Sequence, residues 1–304
     1  MKPLISYYGG KQRIASQICS VLSDIPHTVY VEPFFGGGAV FFARQRPHVT
    51  NADHYREVIN DHSELLINLY RTARNHSDEF ARLIELTPYS RSEYKRAIEI
   101  CRNPDQYSAM ERAWAYYVNI QQSFSNKLDA GWKAEVFSRN SAASWHNKRQ
   151  RIPACLERLQ DVYIECDDAL TVIEQWDSPQ TLFYLDPPYP GTECGHYNGY
   201  TLDNWAALCE LLDRISGSYV LSNYPQAIEP QSAQQRLKIS AIASSSGQGK
   251  VGKSRDKSRA ATKDELGNRK RTEVLWVCDR SHGIRKDLSH VLERQRNQQI
   301  SLFA

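Results

Sequence analysis

The chain has 304 residues, of which 41% are hydrophobic, and its formal net charge is +3. This composition indicates a globular protein with a substantial core and excludes fibrous and disordered classes. No apolar run reaches the roughly 18 residues that a membrane helix needs, and the first residues lack the apolar core of a secretory signal, so we expect a cytoplasmic protein. The seven cysteines include no CxxC pair, which argues against a disulfide framework and a structural zinc site.

The first predicted elements follow the order of a doubly wound parallel sheet. We predict a buried strand at TVYVEPF (28–34), a glycine turn and helix at FGGGAVFFARQ (35–45), a second strand at REVIND (56–61) and a second helix at SELLINLYRTARN (63–75). Alternation of strands and helices around a glycine turn is how such α/β sheets begin.

The pattern changes in the middle of the chain. Residues 68–159 combine helical periods with polar, aromatic-rich loops and show no convincing strand. Further strands are predicted at VYIE, TLFYLD, SYVLSN, RLKISAIA and TEVLWVC, all between positions 162 and 278. We therefore predict an α/β domain over 1–67 and 160–280, a mostly helical insertion over 68–159, and a C-terminal tail over 281–304.

The charge is unevenly distributed. Residues 250–271, called here the basic segment, carry nine Lys or Arg against three acids, a local charge of +6, and the rest of the chain is at −3. Such a concentration favours contact with a polyanion, and a solvated loop is the alternative. The candidate contacts are Lys250, Lys253, Arg255, Lys257 and Arg259.

A glycine turn follows the first strand. Its three glycines, 36–38, have no side chains, which lets the backbone approach a nucleotide-like ligand. Asp61 follows Gly38 by 23 residues, close to the spacing at which an acid accepts hydrogen bonds from ribose hydroxyls. Phe41 replaces the third glycine of a GxGxxG fingerprint, so a ligand with a ribose and without a pyrophosphate fits better. A plain tight turn and a capping or solvent-facing Asp61 is the alternative.

The stretch TLFYLDPPYPG (181–191) ends a strand on a carboxylate, two prolines and a tyrosine. Asp186 would lie where open α/β sheets bind ligands. The prolines hold the backbone extended, so the Asp186 carboxylate and the Pro187 carbonyl can form two fixed acceptors for one amino group. If the bound amino group acts as a nucleophile, the reaction needs an electrophilic partner and does not need a metal ion. The Tyr189 ring offers a stacking face for an extruded base, so Tyr189→Phe should be tolerated. A Pro-Pro turn that only ends the strand is the alternative.

Four motifs in this order, YYGGK, EPFFGGGAVFF, VINDHSELLINLYR and YLDPPY, resemble those of the Dam-type DNA adenine methyltransferases, over residues 1 to about 70 and 160 to about 280. The resemblance implies a Rossmann-like methyltransferase sheet, mostly parallel with an antiparallel last strand, and makes the helical insertion a target-recognition domain. It implies methyl transfer from S-adenosylmethionine to the 6-amino group of adenine in double-stranded DNA, with base flipping, by a bacterial or phage-encoded enzyme associated with the nucleoid.

The resemblance also assigns site residues. Those assigned to the cofactor are Tyr7, Lys11, Phe35, Gly36, Gly38, Asp61, Asp168 and Asp186. Among them, Lys11 would pair with the cofactor carboxylate, the glycine turn would wrap the methionine part, and Asp61 would bind the ribose. Asp168 would accept from the amino group of the cofactor adenine, with a helix N-cap as its alternative role. Asp186, Pro187 and Tyr189 would be catalytic, and no metal is implied.

The resemblance also implies that the helical insertion recognises the target DNA sequence. The candidate DNA contacts there are Lys127, Lys133, Arg139, Asn140, Lys148 and Arg149. The ending QISLFA (299–304) resembles the peptide by which bacterial replication proteins bind the sliding clamp, with Gln299, Leu302 and Phe303 as contacts.

Several other functions are compatible with parts of this pattern. A cytosine-amino or RNA methyltransferase would share the DPPY motif. A DNA-binding regulator could keep the fold without turnover, and a dehydrogenase could use the glycine turn. The intact DPPY argues against the regulator, and the missing third glycine argues against the dehydrogenase.

Overall fold

The computed structural model describes residues 1–7, 9–46, 55–134, 140–190, 200–224, 228–242, 270–281 and 288. Seven strands lie in these ranges: β1 (Val29–Glu32), β2 (Arg56–Asn60), β3 (Val162–Glu165), β4 (Thr181–Leu185), β5 (Ser218–Asn223), β6 (Gln235–Ile242) and β7 (Lys270–Cys278). The same ranges hold ten α-helices: α1 (Ala15–Ser23), α2 (Ala39–Ala43), α3 (Glu64–Asn75), α4 (Ser77–Leu86), α5 (Arg91–Arg102), α6 (Ala109–Gln122), α7 (Ser141–Arg149), α8 (Ile152–Arg158), α9 (Ala169–Gln175) and α10 (Leu202–Arg214).

The seven described strands form one sheet in the order β3-β2-β1-β4-β5-β7-β6. The first five are mutually parallel, and β7 runs antiparallel to both β5 and β6. The predicted mostly parallel sheet with an antiparallel last strand is therefore confirmed. The strand order reverses between β1 and β4, and in open α/β sheets the crevice at this reversal is where ligands bind.

The central strands are covered by side chains on both faces. All five residues of β4 and all six of β5 are buried, as expected for parallel strands with helices on each side. Successive residues alternate between two core layers: Leu182 and Val220 belong to one, and Phe183 and Tyr219 belong to the other. This double burial explains why these strands are predictable as nearly continuous apolar runs.

The helical insertion shares a core layer with the sheet. Side chains from α6 and α7, including Tyr117 and Trp145, belong to the same buried cluster as Leu182 of β4. Helix α6 begins at a capping box formed by Ser108 and Glu111, and its last ten residues are all buried. Helix α3 runs through position 68, where the sequence places a domain boundary. The proposed domain limits therefore stay predictions.

No helix in the described ranges has both the length and the apolar character that crossing a membrane requires. The six described cysteines are free thiols. Three of them, Cys155, Cys209 and Cys278, are buried, where a thiol packs as a small apolar side chain.

Candidate active site at the carboxyl edge of the sheet

The topology collects the ends of several strands at one edge of the sheet. The parallel strands β1, β2, β4 and β5 all end there. Because β7 is antiparallel, its early residues lie at the same edge, where Val274 pairs with Asn223 at the end of β5. Glu273, one residue before Val274, is therefore brought next to the segment that follows β4.

The glycine turn after β1 is closely packed against neighbouring side chains. Gly38 has φ of 65°, and a Cβ there would lie 2.4 Å from Cζ of Phe35. A Cβ on Gly37 would lie 2.6 Å from Cβ of Tyr7. Any larger residue would displace the Phe35 ring or the Tyr7 side chain, so glycine is required at both positions. The turn thereby brings the N-terminal YYGGK motif and the EPFFGGG motif into contact.

Asp61 ties the end of β2 to this turn. Its carboxylate accepts hydrogen bonds from the backbone N–H of Gly36 and of Ser63, both at 2.9 Å, and the side chain is only 3% exposed. Tyr70 adds a second tie by donating to the Gly36 carbonyl at 3.2 Å. Asp61 thus shapes the turn directly, and its contact with a ribose stays a prediction.

Asp186 follows β4 and forms an ion pair with Lys11, whose Nζ lies 2.7 Å from Oδ1. Lys11 is 7% exposed and Asp186 is 21% exposed. Burial alone would lower the pKa of the Lys11 ammonium, but the nearby carboxylates of Asp186 and Glu273 outweigh that effect and raise it. Lys11 is therefore a cation held at the predicted catalytic carboxylate, a contact that the sequence does not predict.

Tyr189 joins the same cluster through its hydroxyl. The hydroxyl lies 2.7 Å from Oε2 of Glu273 and 3.2 Å from Oδ1 of Asp186, so its single proton lies between two acceptors, of which Glu273 is the nearer. Burial raises the pKa of the Tyr189 phenol well above its usual value, and both carboxylates add to the rise, so the hydroxyl stays protonated. Stacking of a base uses only the Tyr189 ring, whereas the hydroxyl also contacts two carboxylates. Tyr189→Phe would lose these contacts, so we now expect it to impair the enzyme.

The Tyr189 ring is also fixed from two sides. The ring of Tyr224 meets it edge-on, with centroids 4.6 Å apart and an interplanar angle of 72°. The Lys11 ammonium lies 4.7 Å from the Tyr189 centroid, within the range of a cation–π interaction. Pro187, between the two catalytic candidates, is buried. The structure thus brings together Lys11, Asp186, Pro187 and Tyr189.

Asn60 connects the predicted adenine-binding loop to the turn. Its side chain, which is fully buried, donates to the carbonyls of Pro33 and Asp167 and accepts from the Asp167 N–H. Asp168 is exposed and caps α9, with Oδ1 accepting from the N–H of Leu170 at 2.9 Å. The N-cap role is confirmed, and a cofactor contact by Asp168 stays a prediction.

The predicted DNA contacts of the insertion have protein partners where they are described. Asn140 caps α7 by accepting from the Ala143 N–H at 3.1 Å, and Lys148 donates to the Gln121 carbonyl at 3.0 Å. Burial, together with the positive charges of Lys133 and Arg151, lowers the pKa of Lys148 to about 7. Arg149 donates to the Glu85 carbonyl, and Lys127 and Lys133 are partly exposed.

Some predicted contacts fall outside the residues that the structure describes. These are Arg139, Lys250, Lys253, Arg255, Lys257, Arg259, Gln299, Leu302 and Phe303. Their assignments stay predictions.

Sequence reasoning missed Glu273, Tyr224 and Asn60. Glu273 carries a local signal, because a carboxylate that adjoins a buried apolar strand must have partners to offset its desolvation. Tyr224 directly follows a predicted strand and Asn60 is the last residue but one of another, where side chains at the binding edge are expected. Within the described residues, no group of three or more His, Cys, Asp or Glu is placed to hold a metal ion.

Comparison with known proteins identifies the family to which the chain belongs. The model of the D12 class N6 adenine-specific DNA methyltransferases matches residues 7–211, which include the glycine turn and the DPPY segment. The chain belongs to this family. It is therefore a DNA adenine methyltransferase, and the predicted fold class, enzyme class and adenine specificity are confirmed. The match favours adenine in DNA over the cytosine-amino, RNA, regulator and dehydrogenase alternatives.

Three relatives agree with this assignment. The type II methyltransferase M.MjaIII of Methanocaldococcus jannaschii is 25% identical over 255 residues, covering 73% of this chain and 84% of the relative. The DNA N-6-adenine-methyltransferase of Escherichia phage P1 is 28% identical over 207 residues, 66% of this chain and 26% of the relative. The type II methyltransferase M1.LlaDCHI of Lactococcus lactis is 24% identical over 218 residues, 68% of this chain and 72% of the relative.

Proposed function

We propose that this methyltransferase takes its methyl group from S-adenosylmethionine and transfers it to an adenine flipped out of double-stranded DNA, with Asp186 gripping the amino group. The position of the Asp186 carboxylate carries the proposal. Asp186 directly follows β4, and the glycine turn directly follows the neighbouring strand β1. The strand order reverses between these two strands, and the Asp186 carboxylate is partly exposed there. A donor held by the turn and an amine held by Asp186 would meet at this crevice.

The groups at this edge fit the chemistry of the proposed cofactor. Asp61 and Asp168 are carboxylates suited to accept from ribose hydroxyls and from an adenine amino group. Lys11 is a buried cation that could meet the cofactor carboxylate, and Tyr7 and Phe35 line the turn. The carboxylates of Asp186 and Glu273 lie in this cluster, and carboxylates attract a sulfonium cation. When bound, S-adenosylmethionine supplies an electrophilic methyl group.

Asp186 need not be a strong base in this reaction. The exocyclic amine is a poor nucleophile because its lone pair is delocalised into the purine ring, and accepting its protons in hydrogen bonds draws the nitrogen toward a tetrahedral form. Both described contacts of Asp186, from Lys11 and from Tyr189, use Oδ1, so we assign Oδ2 and the Pro187 carbonyl to the amino group. The nitrogen becomes acidic after it gains the methyl group, and Asp186 then accepts its proton.

Tyr189 receives the extruded base. Stacking of a base on an aromatic ring contributes about 1–3 kcal/mol, and flipping exposes the purine face for it. The Tyr189 ring is held by Tyr224 and by Lys11 before a base arrives, so little of that energy is spent on ordering the ring.

Nucleoside analysis tests the reaction. Unmethylated DNA is incubated with enzyme and methyl-labelled S-adenosylmethionine and digested to nucleosides. We expect label in N6-methyldeoxyadenosine for the wild type and for a control variant at the exposed Asp105, and none for Asp186→Ala. Label in a cytosine nucleoside, or turnover by Asp186→Ala near the wild-type rate, contradicts the proposal.

We propose that DNA is held by the insertion, through Lys127, Lys133, Arg139 and Asn140, and by the basic segment. Each phosphate contact that is lost should reduce the slope of log affinity against log salt by about 0.9. The triple variant Arg255→Gln, Lys257→Gln, Arg259→Gln should therefore flatten the salt dependence. Arg56→Gln, at the exposed amino end of β2, is the matched control. An unchanged slope in the triple variant would mean that the basic segment is only a solvated surface.

We also propose that the tail binds a bacterial sliding clamp through Gln299, Leu302 and Phe303, which would bring the enzyme to newly made DNA. The Leu302→Ala, Phe303→Ala double variant should lose clamp binding in a surface-binding assay and keep methyl transfer to short DNA. Clamp binding equal to wild type would end this proposal.

A further inference from the structure

Glu273 is a charged group in an environment that does not favour charge. It is 8% exposed, and the five residues that follow it in β7, from Val274 to Cys278, are all buried. A carboxylate with so little access to water needs strong partners to offset its desolvation. One such partner is the Tyr189 hydroxyl, which donates to Oε2 at 2.7 Å from 84 residues away in the chain.

The hydroxyl contact bears on the orientation of the Tyr189 ring. Tyr224 contacts the ring edge-on, and Lys11 lies near the ring centre. The hydroxyl sits at the far end of the side chain, where a hydrogen bond limits tilting of the ring. The oxygen of Glu273 is closer to this hydroxyl than that of Asp186, at 2.7 Å against 3.2 Å. Glu273 can therefore hold Tyr189 while Asp186 binds substrate.

The same carboxylate acts on the charge of the cluster. Asp186 and Glu273 together raise the pKa of Lys11 against the effect of burial. Glu273 thus places a second carboxylate beside the Lys11–Asp186 pair.

We propose that Glu273 is a positioning residue for methyl transfer, which fixes the Tyr189 ring through its hydroxyl so that the ring is ready to stack the extruded adenine. The proposal rests on the proposed role of Tyr189 in the reaction. Glu273 lies beyond residues 7–211, the range that the family model matches. The arrangement of the strands connects it to the DPPY segment, because β7 pairs with β5 and begins at the binding edge.

Four variants test it: Glu273→Ala, Glu273→Gln, Tyr189→Phe and the double variant Tyr189→Phe, Glu273→Ala. Losing one hydrogen bond to a charged group should slow single-turnover methyl transfer at saturating DNA and cofactor by about 10- to 100-fold in Glu273→Ala and in Tyr189→Phe. Glu273→Gln keeps an acceptor oxygen and should lose less. The double variant should be no slower than the slower single variant, because both changes remove the same contact.

Cofactor binding separates positioning from a general loss of structure. The proposal places Glu273 against Tyr189 and not against the cofactor, so calorimetric affinity for S-adenosylhomocysteine should stay within about threefold of wild type in all four variants. Glu210→Ala, on the exposed face of α10, is the matched control and should behave as wild type. If Glu273→Ala does not fold, Tyr189→Phe, Glu273→Gln and their double variant replace it, and the double variant should be no slower than Tyr189→Phe.

Two results would overturn the inference: Glu273→Ala turning over within about twofold of wild type, or losses that multiply in the double variant. Failure of the proposed reaction would look different. In that case the wild type would put no label into N6-methyldeoxyadenosine, or Asp186→Ala would remain active. If the wild type labels N6-methyldeoxyadenosine normally and the Glu273 variants are fully active, only the positioning role of Glu273 is refuted, and the proposed reaction is retained.

Discussion

Replacing Asp186 by alanine should weaken the fold as well as abolish methyl transfer, because it leaves the buried Lys11 without its ion-pair partner. Breaking a buried ion pair by removing one member costs about 3–5 kcal/mol. Here Asp186 is 21% exposed, and Glu273 remains close enough to stabilise the Lys11 charge. We therefore expect the free energy of unfolding to fall by about 1–3 kcal/mol, which is within the stability that a native protein has available.

Urea unfolding of four proteins measures this effect: wild type, Asp186→Ala, Lys11→Met and the double variant Lys11→Met, Asp186→Ala. Methionine keeps the unbranched stem of lysine and removes the charge, and apolar replacement of a buried pair is often neutral. The double variant should therefore be more stable than Asp186→Ala alone. Equal unfolding midpoints for wild type and Asp186→Ala, or single effects that add in the double variant, would refute the argument from the buried pair.

Two further predictions concern the glycine turn and the insertion. Gly38→Ala should destabilise the protein more than Gly131→Ala, since both glycines have positive φ but a Cβ on Gly38 meets the Phe35 ring at 2.4 Å, whereas one on Gly131 meets nothing within 4 Å; equal losses in thermal unfolding would contradict the packing account. Lys148 has a pKa of about 7 in the folded protein against 10.5 ordinarily, so between these pH values the unfolded chain binds more protons and stability rises with pH. Lys148→Met should flatten that rise in urea titrations from pH 7 to pH 10, and an unchanged pH dependence would contradict it.

The strands and the binding edge follow from local features of the sequence. β4 and β5 are short apolar runs that are buried on both faces and bounded by turn residues. Both strands, and their order along the chain, can therefore be predicted from the sequence. Asp186 is readable as well, because it ends such a run just before two prolines. The resemblance of four motifs then predicts which chemistry takes place at this edge.

The partners inside the site depend on how distant segments meet. Lys11 and Asp186 are 175 residues apart, and Tyr189 and Glu273 are 84 apart. Their contacts exist because β7 enters the sheet beside β5 and because the glycine turn packs on the YYGGK motif, and no local pattern encodes either event. Helix α3 spans the predicted limit at residue 68 and packs into the common core, so the division into domains stays a prediction.

The central claim is that Asp186 holds the amino group of a flipped adenine against the glycine turn. A crystal structure of the enzyme with S-adenosylhomocysteine and a duplex that contains a methylation site tests this most directly. The account predicts the target purine stacked on Tyr189, with its N6 about 2.7–3.2 Å from an Asp186 oxygen and from the Pro187 carbonyl, and with the cofactor sulfur facing that nitrogen across the glycine turn. A target adenine left stacked in the duplex, or one bound away from the end of β4 while Asp186 faces only Lys11 and Tyr189, would contradict it.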